Sequence, residues 1–154
     1  MTASPNEGTT ETPSGLLAKT DIDAILESRH WDPFAVLGLH PVNGGPAGDK
    51  YVARCFLPGA TSVTAQTLSG KDIGALVQLD PAGIFAGEVS VKKLQPIRYR
   101  ARNDSGEWVV VDPYSFGPVL GPMDDYYIRE GSHLRLFDKM GAHPMTLDGI
   151  DGFH

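Results

Sequence analysis

Five histidines, 19 acidic residues, one cysteine and two tryptophans are the side chains with which this 154-residue chain could do chemistry. His30, His40, His133, His143 and His154 stand apart. None pairs with another at the i, i+4 spacing that puts two imidazoles on one helix face for zinc. Cys55 has no cysteine partner, so no metal site is expected, and caps, loops and packing account for the histidines. Cys55 itself falls in an apolar, strand-like run and reads as core filler in a reducing compartment. Acidic pairs occur at Asp124-Asp125 and at Asp21/Asp23. Glycosidic chemistry needs two carboxylates held across a cleft by rigid elements. Neighbours on one short helix point to different sides, so complementing the helix dipole is the better reading. No Gly-x-Ser-x-Gly appears, and Asn43-Gly44-Gly45 is a turn rather than a phosphate loop. No catalytic residue is assigned.

Two sets of residues could bind rather than catalyse. Arg98, Arg100 and Arg102 alternate with Ile97, Tyr99 and Ala101, which gives one cationic strand face, with Lys92 and Lys93 just before it. A solvated sheet face is the preferred reading. The sharper reading is contact with an acidic surface of another domain. Trp31, Trp108, Tyr99 and Tyr114 could stack on sugar rings, since flat aromatic faces suit sugar C–H surfaces. Of these, Trp108 and Trp31 are the carbohydrate-binding candidates, against the commoner fate of core packing.

The elements that must position these residues are mostly strands. Eighteen glycines and 12 prolines punctuate the chain, and apolar residues make up 41%. Residues 1–18 form a tail of Thr, Ser, Pro, Gly and Glu with almost nothing to bury, expected to be disordered. Thr20 is the expected cap of a short helix with Ile22, Ile25 and Leu26 on one stripe. Asp32-Pro33 opens a second turn that Gly38 closes. After a loop from Pro41 to Asp49 the period becomes two. Strands are expected over Tyr51–Leu57, Ser62–Leu68, Ile73–Leu79, Ile84–Val91, Ile97–Asn103 and Trp108–Val111. Turn signals separate them and no helix intervenes. This spacing predicts a mostly β fold, an immunoglobulin-like antiparallel β-sandwich with a short N-terminal helix and a partly helical C-terminal tail. A small barrel is the alternative.

In that tail, Pro122 is expected to start a short helix that Gly131 closes, and Ser132 to cap another running to Met140. The final residues, Asp151 to His154, read as neither helix nor finished strand, as if the chain were cut there. A net charge of −6 argues against a nucleic-acid partner. No signal peptide or apolar run long enough to span a bilayer is visible, so no membrane partner and a cytoplasmic location are expected.

Three segments carry more than their separate physics. They are His30-Trp31-Asp32-Pro33-Phe34-Ala35-Val36-Leu37-Gly38-Leu39-His40, Asp112-Pro113-Tyr114-Ser115-Phe116-Gly117-Pro118, and Glu130-Gly131-Ser132-His133-Leu134 continuing to Met140-Gly141-Ala142-His143. In this order, with a β-rich stretch between the first two, the chain from about residue 20 onward resembles the amino-terminal region of bacterial 1,4-α-glucan (glycogen) branching enzymes. Arg54-Cys55-Phe56-Leu57-Pro58-Gly59-Ala60 adds to the resemblance. Ser115 departs from it, standing where members often carry Arg.

The resemblance implies a layout: a β-sandwich, a second sandwich like a family 48 carbohydrate-binding module, an α-amylase-type (β/α)8 barrel and a C-terminal β domain. On that layout residues 19–118 are the N-terminal β-sandwich domain, and 119–154 are a linker and the truncated start of the second domain. The family's catalytic carboxylates lie in the barrel, so none is carried over, and its chemistry needs no cofactor. The implied partners are the remaining domains of the same polypeptide. The implied role is modulation of glucan chain-length choice by docking on the catalytic body. The alternative is an accessory module that binds α-glucan (glycogen or malto-oligosaccharide) directly. A complete stand-alone binding protein is a third reading, disfavoured by the unfinished end.

Overall fold

The computed structural model describes residues 16–42 and 50–153. It divides into two compact units, one ending at Ser115 and one beginning at Phe116. The first unit opens with helix α1, Lys19–Leu26, whose cap is Ala18 rather than Thr20, with no side chain capping it. A hydrophobic staple sets its start instead: Leu17, just before the cap, and Ile22, one turn in, share a buried cluster. Of the residues assigned to a disordered tail, 1–15 lie outside those described, while Leu17 is packed. The loop expected from Pro41 to Asp49 also falls mostly outside them, over 43–49.

Seven antiparallel strands follow: β1 (Gly38–Pro41), β2 (Tyr51–Phe56), β3 (Ser62–Thr67), β4 (Asp72–Asp80), β5 (Ile84–Val89), β6 (Ile97–Asn103) and β7 (Gly106–Val111). Their spatial order is β1-β2-β5-β4-β3-β6-β7. The mostly β, antiparallel sandwich expected from the spacing is what the chain forms. Strand β1 is an addition, because the four-residue run Gly38–Pro41 is too short to show an alternating pattern.

Strand β4 makes the two layers. Its first half pairs with β3, Val63 opposite Leu76, and its second half with β5, Val77 opposite Ala86. A strand that changes partner in this way turns a corner between sheets. The layers meet over one cluster drawn from both: Tyr51, Ala53 and Cys55 of β2, Val63 of β3, Phe85 of β5, and Ile97, Tyr99 and Ala101 of β6. The corner needs backbone to approach backbone. A Cβ on Gly74 of β4 would lie 2.6 Å from the Glu88 carbonyl oxygen, and one on Gly87 of β5 would lie 2.8 Å from that of Ala75.

Strand β5 is buried on both faces. Phe85 and Val89 join the inter-sheet core, whereas Ile84 turns to a second cluster with Leu17, Ile22, Val36 and Leu37. Helix α1 and the segment after it therefore form a third layer outside the sheet. A strand covered on both faces loses the simple alternation that marks a half-buried one. Strand β3 carries a register shift against β4 between Ala65 and Gln66, and Gln66, opposite Arg98 on the outer face, is buried by its bonds to Arg98 and Asp72.

The second unit holds helix α2 (Pro122–Glu130), with Pro122 in the first turn and Gly131 left-handed at its end, as expected. The second expected helix shrinks to one 3-10 turn, Leu136–Asp138. The chain's last residues are a strand after all. β8 (Pro144–Leu147) and β9 (Ile150–Phe153) form a hairpin about Asp148-Gly149, with φ of 49° and 79°. Positive φ at both positions is the twist-matched two-residue turn that Asp-Gly favours. No described residue of this unit is buried. Among the described residues no helix is long and apolar enough to cross a membrane.

Gly74→Ala tests the corner. The added methyl meets β5 backbone that cannot yield, so unfolding should cost about 2 kcal/mol less than in the native chain. A urea midpoint equal to that of the native chain would refute the close-approach account.

Candidate functional site

The first two recognised segments, far apart in sequence, meet at one end of the sandwich. After α1, the N–H groups of Arg29 and His30 both donate to the Ala24 carbonyl. The Asp32 N–H donates to His30 Nδ1 at 3.2 Å, and the Asp32 carboxylate accepts from Ala35 N–H at 3.3 Å, capping the 3-10 turn Pro33–Ala35. Gly38 then enters β1 with φ of +101°, a conformation that costs glycine little. A Cβ there would lie 3.0 Å from the Cβ of Tyr114. The Tyr114 ring packs edge-on to Phe34, centroids 5.0 Å apart.

Tyr114 is held by Asp112, whose carboxylate ends β7 fully buried. Asp112 accepts from the Tyr114 N–H at 3.2 Å and from the Ser115 hydroxyl at 2.9 Å. Ser115 Oγ in turn accepts the Ile97 N–H at 3.2 Å. Ser115, the departure from the family pattern, thus links the buried acid to β6. Burial pushes the Asp112 carboxyl up to about 6, and the two hydrogen bonds offset only part of that. Arg54 ties the same end from beneath, donating to the Leu16 carbonyl at 2.8 Å and the Val36 carbonyl at 3.4 Å. Its burial lowers the guanidinium pKa, partly countered by the charge of Asp21.

The candidate residues separate on this frame. Trp31 is 92% exposed, with Phe34 at 53% on the following turn. Trp108 instead packs half-buried against the inter-sheet core. Tyr99 is buried, its hydroxyl donating to the Arg54 carbonyl at 3.3 Å. Arg98, Arg100 and Arg102 do share the outer face of β6, but it is laced with partners. Arg98 donates to Gln66 at 3.0 Å, and Arg100 pairs with Asp72 at 3.0 Å and lies 4.0 Å from Glu107. Arg102 is exposed, with no ion pair among the described residues.

The remaining titratable groups act as caps and ties. His40 bonds the Leu37 carbonyl, and His143 that of Met140. In the second unit Asp124 accepts the Gly121 N–H at 2.8 Å and His133 Nε2 at 2.9 Å, with Lys139 at 3.5 Å. Those partners, the Gly121 N–H first, hold its carboxyl down to about 2. His154 lies outside the described residues. Burial pushes the Cys55 thiol up, far from a reactive thiolate. Sequence reasoning missed Asp112 as the buried organiser and Phe34 as a second exposed ring three residues after Trp31. Asp-Pro at a strand end signals only a turn, and whether its carboxylate is buried depends on strands elsewhere.

Two carboxylates give opposite pH dependence. Asp112 binds its proton more tightly folded, about 6, than unfolded, 3.8. Stability therefore falls as pH rises from about 4 to 6, by about 3 kcal/mol if the whole shift is expressed. Asp112→Asn should flatten that slope in urea titrations between pH 4 and 7; an undiminished slope would rule Asp112 out as its source. Asp124, depressed when folded, contributes stability above 3.8 that is lost as pH falls towards 2. The amides of α2 should lose exchange protection in that acid window, and Asp124→Ala should remove the transition.

Comparison with known proteins agrees with the motif pattern. The profile of the family described as "alpha-1,4-glucan branching enzyme GlgB, N-terminal domain" matches residues 18–114. The "1,4-alpha-glucan branching enzyme GlgB" of Rhizobium meliloti is 63% identical over 154 residues, all of this chain and 20% of that protein. The proteins of the same name from Agrobacterium fabrum and Novosphingobium aromaticivorans are each 53% identical, over 97% and 86% of the chain and 20% and 18% of their own lengths. The chain spans about a fifth of the length of these curated relatives. With its family profile covering most of the sandwich, the chain belongs to the family of GlgB branching-enzyme N-terminal domains.

Proposed function

We propose that this chain serves as the non-catalytic N-terminal domain of a 1,4-α-glucan branching enzyme and tunes chain-length choice by docking on the catalytic body. The whole enzyme would cleave an α-1,4-glucan and pass the released segment to a 6-hydroxyl, making a branch. The chemistry would be a retaining double displacement by a carboxylate nucleophile and an acid/base carboxylate on an α-amylase-like barrel in the remaining polypeptide. The observation that carries this reading is the family match over residues 18–114 in a chain one-fifth the length of its relatives.

The local chemistry supports it. Asp32, Asp112 and Asp124 are occupied as caps, and Asp72 as an ion-pair partner. Residues 119–154 are read as the linker and opening of a second, carbohydrate-binding-module-like domain. Leu134 at 90% exposure and Phe137 at 67% suit a segment that the following domain covers. The docking face proposed is the outer side of β6, where Arg102 is exposed and Arg98 and Arg100 extend the row. A buried, unpaired Cys55 is in keeping with a reducing cytoplasm.

Replacing Arg98, Arg100 and Arg102 together by Gln in the full-length polypeptide should displace the branch-length distribution of the product, read by debranching and separating the released chains. Arg102→Gln alone leaves the Gln66 and Asp72 contacts in place and should move the distribution in the same direction. An unchanged distribution in both, with unchanged melting, would overturn docking through this face.

A further inference from the structure

We propose that Trp31 is the platform of an α-1,4-glucan binding site on this domain, with Phe34 extending its apolar surface and Glu27, Arg29 and Asp32 supplying polar contacts. This rests on the branching-enzyme reading and names a ligand site that the reading leaves open.

The first argument is exposure without looseness. An indole 92% open to water forgoes the burial that its size would repay. Yet its backbone is bracketed by fixed hydrogen bonds. Arg29 and His30 donate to the Ala24 carbonyl before it, and Asp32 bonds His30 and Ala35 after it. Three residues on, Phe34 is braced edge-on by Tyr114, which Asp112 holds. A platform ordered in advance loses little entropy when it binds.

The second argument is the composition of its surroundings. Large exposed apolar side chains in this segment are Trp31 and Phe34, too little for a stable protein interface of about 800 Å² per partner. Charged residue types lie within four residues of Trp31 in the chain: Glu27 and Arg29, hydrogen-bonded to each other and about 60% exposed, and Asp32. A flat ring on a segment that carries carboxylates and a guanidinium suits a pyranose, which offers C–H groups on one face and hydroxyls around its edge. The ligand carries no charge, so the chain's net charge of −6 does not oppose it. The relatives' names supply the polymer, an α-1,4-glucan. Trp108 cannot serve in the same way, because its ring packs on the inter-sheet core.

The test is site-resolved hydrogen exchange on the full-length polypeptide titrated with maltoheptaose to millimolar concentration. The peptide spanning residues 27–36 should gain saturable protection, at a midpoint separate from that of glucan sites elsewhere in the enzyme. Trp31→Ala should weaken that midpoint about tenfold or more, and Trp31→Tyr should restore part of it. Since the side chain is exposed, melting should stay unchanged. No protection at millimolar sugar would overturn the proposal. So would protection that Trp31→Ala leaves intact. Protection of this peptide already present without sugar and lost in Trp31→Ala would also overturn it, by showing the platform covered by protein. None of these outcomes bears on the arginine variants, whose readout is the product's chain length, so the two proposals fail separately.

Discussion

The carboxylate of Asp112 sits where β7 ends, sealed from water, and three neighbouring groups depend on how it is satisfied. It takes the Tyr114 N–H and the Ser115 hydroxyl, and Ser115 relays the tie to Ile97 on β6. Charge buried in this way is costly, which is why the group's proton affinity rises. The return is positional. Tyr114 is pressed onto the one backbone site, Gly38, that has no side chain to obstruct it. Through Phe34 the same contact braces the turn that carries Trp31. Two segments separated by more than seventy residues thereby become one surface.

A different constraint governs the middle of the domain. Strand β5 packs against the other sheet on one face and against α1 on the other, so Ile84 and Phe85, adjacent in sequence, belong to different cores. Arg54 works at this seam, its guanidinium donating to the backbone carbonyls of Leu16 and Val36. Helix α1 needs no side-chain cap because Leu17 and Ile22 staple it to that core. The second unit contrasts with all of this. It is organised by polar ties about Asp124 and by a hairpin turn, with no buried residue among those described to consolidate it.

The two kinds of candidate surface differ for reasons of chemistry. In the arginine row of β6, Asp72 and Glu107 offset the charge of Arg100 and Gln66 engages Arg98 by a hydrogen bond, so only part of the row is left to meet a partner. Among the described residues the indole of Trp31 has no such partner and stands 92% exposed. A charged row suits orienting one domain on another, whereas a lone flat ring suits a ligand with a flat face.

Much of this was legible in the sequence. Strand alternation on β6, the turns at Pro58-Gly59 and Asp104-Ser105-Gly106, and the start and stop of α2 at Pro122 and Gly131 follow from local rules of period and backbone preference. These hold wherever the chain sits. The hairpin at the end was missed, although Asp148-Gly149 between Leu147 and Ile150 is an Asp-Gly signal flanked by apolar residues. What no local rule could decide was environment. The outer face of β5 is buried only because α1 lies over it, and Gln66 is buried on its outer face because Arg98 and Asp72 close over it. Trp31 and Trp108 are the same residue type in strongly patterned segments, and the tertiary structure alone left one in water and laid the other on the core. Period and propensity describe a chain's own backbone. Burial is a property of what other parts of the chain place opposite it.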